Sequence, residues 1–412
     1  MLKTIIAGTR ECDDVDVAVE EILSQLKLDQ SGTLKKNTVG IIASYRDFVF
    51  SGVYKAVCDK LPFDVLGGIS STQSANGEDY DLIFSIIVLT SDDISFKSVL
   101  TSSVLEDADK AVRDAYGQAV SGGDIPSFAC IYAPYIVEKN CGDTYVHAFN
   151  RASGNGIVSP VPLFGTLSID DSPDSAYPVV LYNGEYYDKQ AAMLFFYGEI
   201  KFKFYSGTVL GADPYVSKEK SKNVLAISSE VKITAAKDNR IYEVNGRPVA
   251  DFLSGLGMLE TSKKLFSMVG FPFLVDLHDG TPASLNYFTK YFEDGKYMLC
   301  GGDVYVGSTM RLYHNDSNSI IETTRAALNR ANEENPNPEL FLSYSCQGRE
   351  WDLGAADQAG AEKVLFDKMM SGINTNRAIV YSGGEICPAG KVGNNYANRF
   401  QGQTFTLVVF YN

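Results

Sequence analysis

One order of helices and strands recurs three times along the chain, and it restricts what the chain can fold into. Each copy reads as a helix, a buried strand, a second helix, a strand ending in small residues, and a final strand, judged from apolar periodicity. Alternation of this kind is typical of sheets that carry helices. The copies span residues 15–89, 104–197 and 321–411, and their first strands are TVGIIASY, FACIYAPY and ELFLSYS.

Residues 199–318 interrupt this order. Short apolar runs such as EIKFKFYSG and STMRLYH are separated there by the turn dipeptides DN, NG and DG, which is typical of antiparallel strands. One helix is predicted at 249–259, and the Ser- and Lys-rich stretch 217–222 is predicted to be an exposed linker. The predicted fold class is therefore α/β of a mixed α+β type, with repeated strand–helix–strand units forming mixed sheets and a β-rich antiparallel insertion.

Acidic residues outnumber basic ones, 51 Asp and Glu against 36 Lys and Arg, which gives a formal net charge of −15. No run of Lys and Arg forms a stripe, so neither nucleic acid nor an anionic membrane is an expected partner. The apolar part of the N-terminal MLKTIIAGTRECDD is too short for a signal-peptide core. No stretch approaches the roughly eighteen apolar residues of a membrane span, so the sequence predicts a cytoplasmic protein.

The cysteines and histidines indicate neither a disulfide framework nor a metal site. The seven cysteines are odd in number, irregularly spaced and without a CxxC pair, which is typical of reduced thiols in the cytosol. The three histidines, His147, His278 and His314, lie far apart and outside any metal-ligand spacing. We therefore expect no metal, no cofactor and no histidine-based catalytic triad.

Two polar stretches at predicted strand ends form the candidate site. SYSCQGRE (343–350) and YSGGEICP (381–388) follow neighbouring strands of the third copy, and α/β units usually hold ligands at the carboxyl ends of strands. The planar guanidinium of Arg349 suits a carboxylate, and Glu385 suits an ammonium group. Together they predict a site for a zwitterion. In the structural alternative, Arg349 pairs with an acid of the chain such as Glu350, Asp352 or Glu385.

Neutral hydrogen-bonding groups accompany this pair. The amides of Gly383 and Gly384 are predicted to form a concavity that binds an anion. The hydroxyls of Ser70 and Ser71, at the equivalent strand end of the first copy, are predicted to bind a polar ligand. For each of these residues the alternative is a tight bend or close packing. The remaining candidate ligand contacts are Tyr344, Cys346, Ser382 and Gln403.

Cys346 and Cys387 support a second hypothesis, a thiol-dependent enzyme. Their loops are expected to be neighbours, and Arg349 would lower the pKa of a nearby thiol. However, neither stretch contains the histidine that a cysteine nucleophile usually needs as its base. A buried free cysteine is also a common packing residue. The prediction is therefore a binding protein with no catalytic residues.

The same stretches resemble the FIST family of bacterial sensory domains. The likeness is most specific in the C-terminal motifs and fainter in the N-terminal half, and it covers nearly the whole chain from about residue 37. The matching stretches are SCQGREWDLG (345–354), YSGGEICP (381–388), RFQGQTFTLVVF (399–410), LGADPYVSK (210–218), ITAAKDNRIYEVNGRPVADFLSGLG (233–257), VGIIASYRD (39–47) and DVLGGISSTQ (64–73).

The resemblance implies a signal-transduction sensor for a small polar ligand, with amino acids and related compounds as the ligand class. It also implies an N-terminal module at 1–198, made of two α/β repeats, and a C-terminal module at 199–412, made of the β-rich segment 199–318 and the repeat 319–412. FIST domains often accompany an output domain, and none is recognised in this sequence, so a separate output protein is the expected partner. A ligand-independent signalling scaffold is a third hypothesis.

Overall fold

The protein is described by a computed structural model. It covers residues 1–28, 30, 32–80, 82–136, 138–172, 177–208, 225–335, 337–373 and 375–412, and describes 78–80 by their backbone. The predicted linker 217–222 and the family-like stretch 210–218 lie outside the described residues. Among those residues, no helix combines the length and the apolar character needed to cross a membrane.

The secondary structure follows the predicted order, with most element ends within a few residues of the predicted ones. The first twelve strands are β1 (Lys3–Thr9), β2 (Asn37–Ser44), β3 (Val65–Ile69), β4 (Gln73–Ala75), β5 (Glu78–Tyr80), β6 (Phe84–Ser91), β7 (Ser95–Ser103), β8 (Phe128–Pro134), β9 (Leu163–Ser168), β10 (Val180–Tyr182), β11 (Glu185–Tyr187) and β12 (Gln190–Tyr197). The others are β13 (Lys201–Gly207), β14 (Val231–Lys237), β15 (Arg240–Val244), β16 (Arg247–Pro248), β17 (Phe273–Asp276), β18 (Ser284–Asn286), β19 (Phe288–Phe292), β20 (Tyr297–Cys300), β21 (Thr309–Leu312), β22 (Pro338–Cys346), β23 (Asn376–Ser382), β24 (Glu385–Val392), β25 (Asn395–Gln401) and β26 (Phe405–Tyr411). The helices are α1 (Val15–Leu26), α2 (Arg46–Phe50), α3 (Val53–Cys58), α4 (Val104–Val120), α5 (Gly142–Ser153), α6 (Val249–Gly255), α7 (Leu259–Ser262), α8 (Ser317–Glu334), α9 (Gln347–Ala355) and α10 (Ala361–Met370).

The three predicted copies form three units with one topology. Their sheets contain the strand orders β1-β6-β2-β3, β7-β12-β8-β9 and β13-β26-β22-β23. In each unit the last pair is parallel and the other two pairs are antiparallel. The assignment of EIKFKFYSG to the insertion was wrong, because β13 pairs along its whole length with β26. An alternating strand pattern identifies a strand but does not identify its partner.

Each unit also gives a hairpin to a neighbouring unit. The hairpin β10–β11 of the second unit pairs with β3, the hairpin β24–β25 of the third with β9, and the hairpin β4–β5 of the first with β23. The predicted turn at Asn183–Gly184 joins β10 to β11, and both residues have the positive φ that this tight turn requires. The exchange closes the three units into a ring, and the predicted division at 198/199 stays a prediction.

The inner faces of the three sheets share one core. A single hydrophobic cluster contains Leu66 of the first sheet, Phe128 of the second and Leu342 of the third. The helices cover the outer faces: α1 and α3 pack on the first sheet, α4 and α5 on the second, and α8 and α10 on the third. Burial on this scale supplies the main driving force for such a fold.

The predicted insertion forms a separate antiparallel sheet of eight strands, in the order β18-β17-β21-β14-β15-β20-β19 with β16 beside β15. It has its own core, which includes Ile233, Phe273 and Met298. The predicted helix at 249–259 is divided into α6 and α7. The mixed α+β fold class with a β-rich insertion is therefore confirmed.

Candidate functional site

The two candidate stretches lie at the carboxyl ends of the parallel strands β22 and β23. Cys346 has extended backbone angles, and α9 begins at the next residue, Gln347. After β23, Gly383 and Gly384 carry the chain to Glu385, where β24 begins and joins the sheet of the second unit. The site is therefore positioned by a strand–helix junction and a strand crossover.

A pocket lies beside these strand ends, and we call it the aromatic pocket. The second unit contributes the residues that follow β8 and β9, and the third unit contributes the starts of α9 and of the crossover. The insertion contributes Phe266, Val269 and Tyr287, and we call its turn 264–271 the cover. The lining residues of the aromatic pocket are Tyr135, Ile169, Phe266, Val269, Tyr287, Cys346, Gln347, Gly348, Trp351, Ser382 and Gly383.

The aromatic pocket contains little free space. Its empty space is about 270 Å³, but only about 20 Å³ is open to the centres of water molecules. That is room for about one water molecule. A larger guest would enter only if the cover moved.

Aromatic rings form most of the wall. The ring centres of Phe266 and Trp351 lie 5.5 Å apart, and those of Tyr135 and Phe266 lie 5.9 Å apart. The hydroxyls of Tyr135 and Tyr287 are 2.9 Å apart, and the Tyr287 hydroxyl donates to the Gly383 carbonyl at 3.3 Å. Phe266 has a φ of +57°, a strained value for a bulky residue that occurs most often at functional sites.

The sequence analysis did not assign these four aromatic residues to the site. Trp351 lies inside the stretch that carries the family resemblance, and Tyr135 ends the predicted strand FACIYAPY, so both had a sequence signal. Phe266 and Tyr287 belong to the insertion, and no pattern in the sequence places the insertion over the strand ends. Their contribution depends on tertiary structure alone.

Arg349 faces the interior of the third unit instead of the aromatic pocket. Its side chain is fully buried, and it donates to Glu362 of α10 through Nε at 3.1 Å and Nη2 at 2.6 Å. Its other donors reach the Thr324 hydroxyl and the carbonyls of Gly207, Ile320 and Gln403. These contacts differ from the expected ligand clamp, and Glu362 is not one of the three acids considered as partners.

Glu362 completes a closed ionic network. It also accepts from the Ser345 hydroxyl at 2.6 Å and from the Tyr381 hydroxyl at 2.8 Å. Burial alone would raise the pKa of this carboxyl, but Arg349 and the hydroxyl donors hold the pKa below its ordinary value. The carboxylate is therefore ionised, and the pair is internally satisfied.

Glu385, unlike Glu362, has an incomplete set of hydrogen-bond partners. It is fully buried, and burial raises its pKa well above the ordinary value despite the opposing effect of Arg349. Its Oε1 accepts from the Ser382 hydroxyl at 3.3 Å, whereas Oε2 has no hydrogen-bond partner in the described part of the chain. Burial therefore disfavours the ionised form of this carboxyl, which makes it a poorer charge partner for an ammonium group than the sequence suggested.

Three of the neutral candidate residues line the aromatic pocket. These are Cys346, Ser382 and Gly383, although the Gly383 amide already donates to the Leu167 carbonyl at 2.9 Å. Gly384 is not among the lining residues, and its φ of +130° explains the glycine.

Three other candidates do not line the aromatic pocket, although Ser71 contacts the lining residue Gln347. The Tyr344 hydroxyl contacts the Tyr132 hydroxyl at 2.8 Å inside the core between the sheets. Ser70 donates to the Tyr381 carbonyl at 2.9 Å, and Ser71 donates to Gln347. These two serines therefore join the first unit to the third.

Gln403 supports the cover of the aromatic pocket without lining it. Its Nε2 donates to the Val269 carbonyl at 2.9 Å, and its Oε1 accepts from Asn315 at 2.9 Å. Asn315 in turn donates to Asp352 at 3.0 Å and, through its backbone amide, to the Gly270 carbonyl at 3.0 Å. The turn 264–271 is thus held against α9 by side-chain hydrogen bonds.

Asp352, next to Trp351 on α9, is the titratable group among the residues that hold the cover. Burial raises the pKa of its carboxyl to about 7, while the bond from Asn315 and the charge of Arg349 act in the opposite direction. The group therefore changes its charge near neutral pH.

The two thiols of the enzyme hypothesis are protonated. Burial raises the pKa of Cys346 and of Cys387 far above the ordinary value for a thiol. Cys387 packs in the core shared by the three sheets, whereas Cys346 lines the aromatic pocket. In the described residues, no group of three or more His, Cys, Asp and Glu side chains is arranged to hold a metal ion.

Comparisons with known proteins identify the family of the chain. A chorismatase crystal structure aligns over 100% of this chain and 98% of its own, with 7% identity and a TM-score of 0.33, which is too low to support an inference. No curated protein matches the chain. The FIST N domain matches residues 38–247 and the FIST C domain matches residues 251–388, nearly the whole chain, and FIST domains are sensory domains in signal transduction. The chain therefore belongs to the FIST family.

Proposed function

We propose that this chain senses a small molecule in the aromatic pocket and passes the signal to a separate protein, without catalysis. The observation that supports this most is the position of the aromatic pocket. Tyr135 and Ile169 lie within the region matched by the FIST N domain, and the other lining residues lie within the region matched by the FIST C domain. Ligand sites favour such interfaces, and a ligand there would change how the two domains contact each other.

The proposed ligand contacts are Cys346, Ser382 and Gly383 together with the aromatic walls. Arg349 and Gln403 are proposed to position the site, since their contacts are with protein groups. We do not propose contacts from Tyr344, Ser70, Ser71 or Gly384. The seven free thiols support an intracellular, reducing setting for this sensor.

The test uses Trp351, the only tryptophan of the chain and a residue of the aromatic pocket. A library of amino acids, small acids and uncharged metabolites is screened by thermal shift, and each hit is titrated by tryptophan emission. A true ligand raises the melting temperature and changes the emission. Hits that leave the emission unchanged would place binding elsewhere.

Gly383→Ala is the variant that tests the site, because a Cβ at this position would lie 2.5 Å from the Tyr135 ring and narrow the aromatic pocket. We expect this variant to lose binding. Gly117→Ala adds the same methyl group at a site with no atom within 4 Å, so it is expected to bind normally. Equal affinity in both variants would contradict the proposed site.

The thiol enzyme is a second candidate because Cys346 lines the aromatic pocket. Iodoacetamide mapping at neutral pH separates the two proposals. A protonated, buried Cys346 reacts no faster than the other buried cysteines. Selective modification of Cys346 would favour the enzyme.

A further inference from the structure

We infer that the ligand of the aromatic pocket is an uncharged molecule with a single planar ring and one hydrogen-bonding substituent. The inference rests on the proposed function and narrows the ligand class. It departs from the zwitterion expected from Arg349 and Glu385, and it is carried by the charge, shape and polar groups of the aromatic pocket.

The charge of the site is the first observation. Every lining side chain is uncharged. Arg349, beneath the wall, directs its donors to Glu362, Thr324 and backbone carbonyls. Glu385 reaches the wall only through the Ser382 hydroxyl, and its complete burial disfavours a charge. An ionised ligand would lose its hydration here without gaining a counter-charge.

The shape is the second observation. Trp351, Phe266, Tyr135 and Tyr287 leave space for only about one water molecule. The planes of the Phe266 and Trp351 rings are inclined at 46°, and those of Tyr135 and Phe266 at 49°. A flat ring needs the smallest separation of such walls and gains from offset or edge-to-face contacts with them. A bulky saturated group would need a larger displacement of the cover.

A bound ring would have to displace the cover of the aromatic pocket. This cover is the turn 264–271, in which Phe266 has a strained φ of +57°. One side-chain bond, from Gln403 to the Val269 carbonyl, holds it to the third unit. Backbone bonds also run from Asn315 to the Gly270 carbonyl and from Phe266 to the Thr289 carbonyl.

The polar substituent is assigned to Ser382. Its hydroxyl makes only long contacts, 3.3 Å to Glu385 and 3.5 Å to the Gly384 carbonyl. A hydroxyl or carboxamide of the ligand would provide a better partner than either. The Cys346 thiol, on the same wall, is a weaker alternative.

The experiment compares probes that share one ring and differ in charge: benzyl alcohol, benzoate, benzylammonium and phenylalanine. Cyclohexylmethanol is the uncharged, non-planar control. Binding is followed by Trp351 emission and by thermal shift. We expect benzyl alcohol to bind at least about tenfold more tightly than each charged probe and than cyclohexylmethanol. Gly383→Ala should abolish its effect and Gly117→Ala should not.

Each outcome decides between the alternatives. Equal or tighter binding of benzoate, benzylammonium or phenylalanine overturns the assignment of an uncharged ligand, and equal binding of cyclohexylmethanol overturns the planar ring. If no ring compound binds while another metabolite changes Trp351 emission, this inference fails and the proposed function stands. If no small molecule of any class changes the emission, both fail. Ser382→Ala provides a second variant that keeps the backbone, and it should weaken benzyl alcohol without unfolding the chain.

Discussion

The third unit meets its two neighbours in different ways. Toward the first unit, the strand ends are joined by direct polar contacts: Ser70 donates to the Tyr381 carbonyl, and Lys363 donates to the Thr72 hydroxyl at 2.6 Å. Toward the second unit, the equivalent strand ends leave the aromatic pocket. We call the junction of the third unit with the first unit the closed junction, and its junction with the second unit the open junction. The same strand topology thus gives a bonded interface at one junction and a pocket at the other. The difference depends on the side chains and on the insertion, whose residues line the pocket at the open junction.

The fully buried Arg349–Glu362 ion pair lies inside the third unit. Removing one partner should have the largest effect on the stability of the fold. Arg349→Met leaves a buried carboxylate without its partner, and we expect a loss of roughly 3–5 kcal/mol in the free energy of unfolding. Urea unfolding followed by circular dichroism measures it.

Arg330→Met is the matched control, because its partner Glu334 is more than a third exposed and such pairs contribute about 0–1 kcal/mol. Similar losses in the two variants would mean that the buried network is not a main support of the site.

The cover of the open junction should respond to pH. The pKa of Asp352 is about 7 in the folded chain, against about 3.9 in the unfolded chain, so the folded chain keeps a proton that the unfolded chain releases between these values. Stability therefore falls as pH rises from about 4 to about 7, by roughly 1 kcal/mol per pH unit from this group. Melting temperatures of the native chain and of Asp352→Asn, measured across this range, should converge toward pH 4 and separate toward pH 7. Parallel curves would remove Asp352 as the cause.

A hydroxyl at the closed junction should matter for stability and not for binding. Ser70→Ala removes two hydrogen bonds from a fully buried donor, at 2.6 Å to the Thr72 carbonyl and 2.9 Å to the Tyr381 carbonyl. We expect a loss of about 1–2 kcal/mol in unfolding free energy and an unchanged ligand affinity. A change in affinity with unchanged stability would show that the closed junction also binds ligand.

A hydroxyl at the open junction should behave in the opposite way. Ser382→Ala removes only long contacts at a buried position, so we expect a loss of about 0.5–1 kcal/mol in unfolding free energy, smaller than that of Ser70→Ala. Ligand affinity, measured by Trp351 emission, should fall by about three- to tenfold. A large loss of stability with normal affinity would reverse the assigned roles of Ser70 and Ser382.

Much of the framework could be predicted from sequence because buried strands are recorded as apolar runs. VGIIASY, FACIYAP and ELFLSYS mark the central strands, and the Asn183–Gly184 turn marks one exchanged hairpin. The exchange itself could not be predicted, since the pattern of a short hairpin does not specify which sheet it joins. The same holds for β13, whose partner lies about two hundred residues later.

The site could be located but its chemistry could not be fully predicted. SCQGREWDLG and YSGGEICP do border the aromatic pocket. However, the partner of Arg349 depends on the direction of α9, which turns the guanidinium toward Glu362 of α10, thirteen residues away. The charge of Glu385 depends on complete burial, which a sequence of mixed polar residues does not indicate. Residue type predicted a zwitterion site, and the surroundings of the same residues favour an uncharged ligand.

A crystal structure of the chain soaked with benzyl alcohol tests the central claim most directly. The account predicts ring-shaped density between Trp351 and Tyr287, contact with Ser382, and a shift of the turn 264–271. Density elsewhere on the surface, with Phe266 still packed on Trp351, would contradict it.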